Sequence, residues 1–303
     1  MMLPIRPPLI VHHMAALEPG TVPNSLAAIR TCLVAEAEVI EIDATALAAE
    51  DFLLVHDPYL ESETDGFGPV QALTAAQARL LHCKERGHVT PEGVALLSDV
   101  VTLIQENKGE TRLQIDWKDV IPFPTSEPYE RLLRLIRPLG ERVIVSTGAD
   151  WQLRRLRRLA PWLDLGFDIG NHLDWREVGE IADPRLPPWK TGAYGYWDDH
   201  PLAAMRFLPV QDYLLDRCEL FMNGVPGLST FYISHRMLVQ SLRDGFNWAD
   251  VLHTRGIKLD AWTLDTTSAV LIDNAVTLYK AGVDMFTTNT PVGLKDMLDV
   301  QHL

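Results

Sequence analysis

Short apolar runs that end in polar residues alternate with amphipathic stretches along most of this chain. The short runs are typical of β-strands, and stretches with leucines three or four residues apart are typical of helices. Eight strand-then-helix units within 303 residues predict a (β/α)8 TIM barrel. The predicted strands are Leu9–His12, Val39–Asp43, Arg112–Trp117, Val143–Ser146, Asp164–Asp168, Phe231–Ser234, Lys258–Trp262 and Asp284–Thr288.

Two segments depart from this alternation. Residues 58–95 are rich in turn-forming residues and predict a small insertion after the second strand. Residues 183–229 contain several prolines, from Pro184 to Pro226, and predict a long irregular excursion that roofs part of the mouth. Because no linker or internal repeat divides the chain, we expect residues 1–303 to form a single barrel domain.

Polar residues occupy regular places in the predicted strands. Glu41 and Asp43 are two residues apart, so their side chains face the same side of a strand, and so do those of Asp116 and Lys118. In a TIM barrel the carboxyl ends of all strands meet at one mouth. Histidines 12 and 56 and tryptophan 262 also lie at or near strand ends, and we expect all of these groups at that mouth.

A cluster of carboxylates is costly to bury unless something neutralises it. Glu41, Asp43 and Asp116 offer hard oxygen ligands of the kind that suit Mg²⁺ or Ca²⁺. The alternative is a buried cluster neutralised by Lys118 alone. Two histidines beside a bound cation, His12 and His56, predict general acid and base chemistry.

Net charge and cysteine content limit which binding partners and cellular locations are expected. The formal net charge is −14, which makes a nucleic-acid backbone an unfavourable partner. A small anionic substrate remains compatible if a metal, a lysine and histidines reverse the charge locally. The three cysteines form no close pair and predict reduced thiols. Together with the lack of any run of about 18 apolar residues, they favour a cytoplasmic protein that is not inserted in a membrane.

Several short motifs follow one another in an order that is itself informative. They are His12-His13-Met14 (against H-R-G), Val22-Pro23-Asn24-Ser25 (P-E-N-T), Glu41-Ile42-Asp43 (E-x-D), His56-Asp57-Pro58-Tyr59-Leu60 (H-D-x-x-L), Leu113-Gln114-Ile115-Asp116-Trp117-Lys118 (L-x-I-E-x-K), Trp262-Thr263-Leu264-Asp265 (W-T-V-N) and Thr288-Asn289-Thr290-Pro291 (T-D-x-P). In this order and spacing the chain resembles the glycerophosphodiester phosphodiesterase family. In this reading His13 replaces the arginine of H-R-G, and Asp116 replaces the glutamate of the third strand.

The resemblance implies metal-dependent hydrolysis of a small phosphodiester to an alcohol and a phosphomonoester. It implies that Glu41, Asp43 and Asp116 hold the cation and that His12 and His56 are the acid/base pair. Lys118 and Trp262 are then expected to contact the phosphate and the alcohol, although Trp262 is also compatible with plain packing in the barrel wall. His13 either contacts the phosphate in place of the arginine or points away into the wall.

Two other functions are compatible with the same residues. The first is a cyclising lyase of the related type, in which a hydroxyl group of the substrate attacks and a cyclic phosphate is the product. The second is a non-catalytic barrel that binds a metal or a phosphodiester. The altered H-R-G motif keeps both alternatives open.

Overall fold

This computed structural model describes residues 7–17, 20–176 and 190–301. Most of the strands in this part of the chain pair in parallel. The strands are β1 (Leu9–His12), β2 (Val39–Ala46), β3 (Phe52–Leu53), β4 (His82–Glu85), β5 (His88–Gly93), β6 (Arg112–Trp117), β7 (Val143–Thr147), β8 (Asp164–Asp168), β9 (Leu173–Asp174), β10 (Lys190–Thr191), β11 (Trp197–Asp198), β12 (Thr230–Ser234), β13 (Lys258–Trp262) and β14 (Met285–Thr288). The helices are α1 (Leu26–Val34), α2 (Ala75–Ala78), α3 (Leu97–Glu106), α4 (Glu127–Ile136), α5 (Asp150–Leu159), α6 (Val210–Gly224), α7 (His235–Arg243), α8 (Trp248–His253), α9 (Ala269–Lys280) and α10 (Pro291–Gln301).

Eight of these strands close into a barrel. Their spatial order is β1-β14-β13-β12-β8-β7-β6-β2, and pairing of β1 with β2 completes the ring. Every pairing around the ring is parallel, and the short β3 adds an antiparallel partner to the end of β2. The predicted (β/α)8 barrel is confirmed, with strand bounds within a few residues of those expected.

Both faces of the barrel strands are buried, but against different neighbours. Val11, Val39 and Met285 pack together inside the barrel. Ile10 and Ile40, one residue away in each strand, join the larger apolar layer between the strands and the helices. The alternation within each strand therefore decides which side chains face the interior of the barrel and which face the helices.

The segment between β2 and α3 carries the turn-rich residues that were expected as an insertion. It contains β3, α2 and the antiparallel β4–β5 hairpin. It also has its own apolar cluster, in which Leu60, Val70 and Leu96 are fully or almost fully buried. A bridge between Leu53 and Leu96 ties this segment to the barrel beside the end of β2.

The expectation of an irregular excursion over 183–229 is wrong for its second half. Residues 183–189 lie outside the described residues, and 190–209 form turns and the short strands β10 and β11. Residues 210–224 form the 15-residue helix α6. Its buried side chains Tyr213, Leu214, Cys218 and Phe221 recur at helical spacing, a signal that the flanking prolines obscured.

No helix in the described part of the chain is both long enough and apolar enough to cross a membrane.

Candidate active site

A cavity of about 330 Å³ opens where the carboxyl ends of the barrel strands meet. Residues from seven barrel strands, together with residues that follow strand ends, line it. They are His13, Met14, Glu41, His56, Gln114, Asp116, Lys118, Ser146, Asp168, Tyr232, Trp262, Thr263 and Thr287. Most of the residues predicted for the mouth are in this set, and Asp43 lies fully buried directly beside them.

Three carboxylates converge at one side of the cavity. Oxygen atoms of Glu41, Asp43 and Asp116 lie within 4.8 Å of one another. Asp43 and Asp116 are directly paired across β2 and β6, and Glu41 is two residues before Asp43 on the same face of β2. The i, i+2 alternation and the strand register together produce this convergence.

Lys118 lies against the carboxylates. Its Nζ is 2.8 Å from Asp43 Oδ1 and donates a hydrogen bond to Asp116 Oδ2 at 2.5 Å. Burial lowers the pKa of Lys118, but the charges of Asp116, Asp43 and Glu41 outweigh burial and hold that pKa well above its usual range. The lysine is therefore a cation at every pH at which the protein is expected to work.

One lysine does not neutralise the cluster. Burial, together with the charges of Asp43 and Asp116, raises the pKa of Glu41 well above its usual range. Burial also acts to raise the pKa of Asp43, but Lys118 and then His56 outweigh it, and the net shift is downward. Glu41 is therefore the carboxyl group that is hardest to ionise in this cluster, and a bound cation would favour its ionised form.

The donor set fits a hard divalent cation. Asp43 is fully buried, and its Oδ1 faces the cluster, 2.8 Å from Lys118 Nζ. The other oxygen, Oδ2, accepts from Asn24 Nδ2 at 2.9 Å, and Asn24 Oδ1 accepts from the Asp43 backbone N–H at 3.2 Å. Asn24 thus fixes the carboxylate with Oδ1 toward the cluster. Three converging carboxylates are the ligand type that Mg²⁺ and Ca²⁺ prefer.

The loop that carries His56 is fixed by acidic side chains. Asp57 Oδ1 lies 2.9 Å from His56 Nδ1. A carboxylate accepts only, so Nδ1 carries the proton and Nε2 is left for the cavity. Glu63 accepts from the backbone N–H groups of both His56 and Asp57, at 2.9 and 2.7 Å. The ring and its backbone are therefore both held at the rim.

His13 is fixed in a similar way from the other side of the mouth. Its Nδ1 lies 2.8 Å from Asn289 Oδ1. Asp265 accepts from the backbone N–H of Asn289 at 2.7 Å and from its side-chain Nδ2 at 3.1 Å. Because Asp265 takes the amide nitrogen, Asn289 presents its oxygen to His13, and His13 Nε2 is left for the cavity.

The structure does not bring His12 to the cavity. The side chain of His12 has the same parity in β1 as Ile10 and faces the helix layer, where its Nδ1 donates to Ala16 O at 2.9 Å and lies 3.7 Å from Cys32 Sγ. Burial lowers its pKa. After β1 the chain turns sharply, with positive φ values of 50° and 59° at Met14 and Ala15, and His13 is the histidine that turns inward.

Among the cavity residues that the sequence did not predict are four that lie on barrel strands. Gln114, Ser146, Asp168 and Tyr232 point inward from β6, β7, β8 and β12. Asp168 ends a predicted strand and carried the same strand-end signal as the other acidic residues. Burial, and then the charge of Asp116, raises its pKa to about 7. His235 begins α7 and does not line the cavity.

The comparison with family models decides the family. Residues 18–197, more than half of the chain, match the model described as the glycerophosphoryl diester phosphodiesterase family. The chain belongs to this family. The resemblance that the motifs indicated is thereby confirmed, and the family match covers β2, the insertion, β6 and the acidic cluster.

A curated relative agrees with the family, and two solved structures agree with the fold. A curated glycerophosphodiester phosphodiesterase of Caldanaerobacter subterraneus is 26% identical over 148 residues, which are 48% of this chain and 60% of that relative. A crystal structure of a glycerophosphodiester phosphodiesterase from Parabacteroides distasonis has a TM-score of 0.66 at 15% identity, covering 97% of this chain and 98% of that one. An Oleispira antarctica phosphodiesterase, solved with the product sn-glycerol-3-phosphate, has a TM-score of 0.62 at 16% identity and 97% coverage of both chains.

Proposed function

We propose that this protein hydrolyses a glycerophosphodiester-like phosphodiester to an alcohol and a phosphomonoester. The observation that carries the proposal is the convergence of three carboxylates, a lysine and two histidines on one cavity of a barrel in this family. The product-bound relative from Oleispira antarctica supports glycerol phosphate as one half of the substrate. Family membership and the cavity favour a small-molecule substrate over a macromolecule.

Glu41, Asp43 and Asp116 are the proposed ligands of a divalent cation, Mg²⁺ or Ca²⁺. When bound, such a cation polarises a phosphate oxygen and offsets the charge that develops in the transition state. Lys118, which already bridges Asp43 and Asp116, is the proposed second positive charge toward the phosphate. The net charge of the whole chain does not oppose an anionic substrate here, because these cations act locally.

His13 and His56 are the proposed acid/base pair, in place of the pair His12 and His56 that the sequence indicated. Both rings line the cavity, and in both Nδ1 is engaged, by Asn289 and Asp57 respectively. Each Nε2 is then available, one to take a proton from the nucleophile and the other to protonate the leaving alcohol. His12 lies behind the barrel wall with its Nδ1 bonded to Ala16 O, and we therefore do not propose it for this role.

This assignment shifts the alignment of the H-R-G motif with the sequence by one residue. If His13 takes the place of the motif histidine, Met14 takes the place of the arginine. The Met14 side chain brings no charge to the cavity, while its backbone N–H donates to Glu41 Oε2 at 2.7 Å. The phosphate is therefore expected to depend on Lys118 and the cation alone. His13 then serves proton transfer and not the phosphate contact that its position opposite the arginine had implied.

A product-resolved screen tests the proposed function. Purified protein is incubated with glycerophosphodiesters that carry different alcohols, with Mg²⁺ or Ca²⁺, and products are followed by phosphorus NMR. The proposal predicts a phosphomonoester signal as the first product. A lasting cyclic phosphate signal would identify the cyclising lyase instead. The absence of turnover on every diester, with either cation, would favour the non-catalytic barrel.

A further inference from the structure

Two turns at the mouth of the barrel hold His13 from behind. His13 directly follows β1, and Asn289 directly follows β14. The last residues of these strands, His12 and Thr288, are partners across the sheet. Asp265 lies three residues after β13, the strand on the other side of β14. Neither Asn289 nor Asp265 lines the cavity, so any part that they play in the reaction acts through His13.

Asp265 fixes the orientation of the Asn289 amide. Its Oδ1 accepts from the backbone N–H of Asn289 at 2.7 Å and from Thr288 Oγ1 at 3.1 Å. Its Oδ2 accepts from Asn289 Nδ2 at 3.1 Å. Because a carboxylate accepts only, the amide nitrogen has to face Asp265, and the amide oxygen is left to face His13.

The amide in turn fixes the tautomer of His13. Asn289 Oδ1 lies 2.8 Å from His13 Nδ1, and an amide oxygen cannot donate a hydrogen bond. Nδ1 therefore carries a proton, and in the neutral ring Nε2 faces the cavity without one. The chain of hydrogen bonds from Asp265 through Asn289 thus decides which nitrogen of His13 is free for proton transfer.

The same hydrogen bonds can be made with the two side chains exchanged. An asparagine at position 265 would accept the same two bonds through its oxygen and donate its amide N–H to position 289. An aspartate at position 289 would accept that bond and the Nδ1–H of His13. The motifs W-T-V-N and T-D-x-P have the asparagine first and the aspartate second, whereas this chain has Asp265 first and Asn289 second. The order is reversed, but one amide and one carboxylate are kept.

Two side chains of the same kind would break this chain of hydrogen bonds. With two amides, Asn289 can turn over and present its nitrogen to His13, which then has to accept at Nδ1 and carry its proton on Nε2. With two carboxylates, like charges would face each other across the 3.1 Å that now separates Asn289 Nδ2 from Asp265 Oδ2.

We propose that Asp265 and Asn289 are a pair of positioning residues that sets the tautomer of His13, and that the pair works only with one carboxylate and one amide. The kinetic consequence rests on the proposed function, in which His13 transfers a proton. The tautomer itself is a property of the protein without substrate, and it is measured without turnover.

Nitrogen-15 NMR of histidine-labelled protein measures the tautomer directly. Spectra are recorded at pH 8.5, well above the ordinary imidazole pKa of about 6.5, and His13→Gln identifies the His13 signals among the ten histidines. For the wild type we expect the Nδ1–H tautomer. Asp265→Asn should shift the population toward the Nε2–H tautomer. Asp265→Asn combined with Asn289→Asp should restore Nδ1–H.

Turnover of glycerophosphoethanolamine with Mg²⁺ gives the second measurement. Asp265→Asn should lower kcat by about tenfold or more, because proton transfer at Nε2 needs the proton of Nδ1 directed at position 289. Asn289→Asp should lower both kcat and the melting temperature, because two carboxylates then face each other. The double variant should recover kcat to within about threefold of the wild type, which is the sign of a coupled pair.

Asp244→Asn is the matched control. Asp244 also accepts hydrogen bonds from two side chains, Tyr196 Oη at 2.7 Å and Gln240 Nε2 at 3.2 Å, and it does not line the cavity. This variant should leave the His13 tautomer and kcat unchanged. A wild-type His13 in the Nε2–H form, or a double variant that resembles Asp265→Asn in tautomer and kcat, overturns the pair and leaves the hydrolase intact. If the wild type turns over no diester, the proposed function fails, and the NMR spectra of the same variants still decide whether the pair sets the tautomer.

Discussion

The register of β1 decides which of two adjacent histidines can act on a substrate. Both faces of a barrel strand are buried, so an apolar alternation does not reveal which face is the interior. Val11 and His13 share the inward face and Ile10 and His12 the outward one. The sequence therefore identified the strand end, but it placed His12 at the mouth and left the orientation of His13 open.

Substitution of each histidine separates their roles. His13→Ala should lower kcat by about 10² or more, the usual cost of losing a general acid or base. His12→Ala should leave kcat within about threefold of the wild type and lower the melting temperature, because it removes a buried hydrogen bond to Ala16. Steady-state kinetics and thermal melts of the two variants check this. A loss of kcat confined to His12→Ala would reverse the assignment.

Asp168 couples the stability of the metal-free protein to pH. Its folded-state pKa of about 7 lies above the ordinary value of 3.8, so the folded state binds more protons than the unfolded state between these values. The contribution of Asp168 to stability is thus lost as pH rises from about 4 to about 7. Asp168→Asn removes the titration and should gain stability relative to the wild type as pH rises through this window.

Thermal melts of metal-free protein at pH 5 and pH 8 measure the effect. The melting temperature of Asp168→Asn relative to the wild type should be higher at pH 8 than at pH 5 by about 2 °C or more. Asp212→Asn, an exposed site on α6, is the control and should show no such trend. A difference between Asp168→Asn and the wild type that does not vary with pH would contradict the account.

At the scale of elements, the turn that leads into α1 reaches the metal cluster on β2. Asn24 has a positive φ of 53°, which asparagine tolerates better than most residues, and in this position its side chain bonds both the backbone and the carboxylate of Asp43. The sequence marked Asn24 and Ser25 as part of the motif compared with P-E-N-T, without a role for Asn24. The contact to Asp43 joins residues that are distant in sequence, and only the fold shows it.

Asn24→Ala should therefore weaken cation binding while the ligands themselves stay in place. The loss of a partner that orients a metal ligand typically costs 10–100-fold in affinity, and calorimetric titration with Mg²⁺ or Ca²⁺ measures it. Asn247→Ala serves as the control. Asn247 caps the start of α8 and does not line the cavity. Unchanged cation affinity in Asn24→Ala would show that Asp43 does not depend on this turn for its orientation.

The helix α6 is a place where the prediction of secondary structure from the sequence failed. Its apolar residues have helical spacing, but prolines before and after it suggested irregular backbone throughout. Proline at position 209 in fact precedes the first helical residue, a place where its fixed φ and missing N–H do no harm. Strands such as β6 and β13 were read with their observed bounds, because each is a compact run flanked by turn residues.

At the scale of the whole molecule, barrel closure brings distant segments to one place. The i, i+2 rule predicted that Glu41 and Asp43 share a face, and the barrel predicted that Asp116 and Lys118 join them. The interior floor was not predicted. That Gln114, Tyr232 and Gly166 lie close together inside the barrel depends on the stagger of strands around the ring, which the sequence does not give.

The most direct test of the account is the dependence of turnover on a divalent cation held by the three carboxylates. Phosphorus NMR follows hydrolysis of a glycerophosphodiester by the wild type and by Asp43→Asn, with Mg²⁺ or Ca²⁺ and then with excess chelator. We expect a phosphomonoester to form with the cation, to stop forming with the chelator and to resume when the cation is restored. Asp43→Asn should be slower by at least about tenfold at the same cation concentration. Full turnover by the wild type in excess chelator would contradict the central claim.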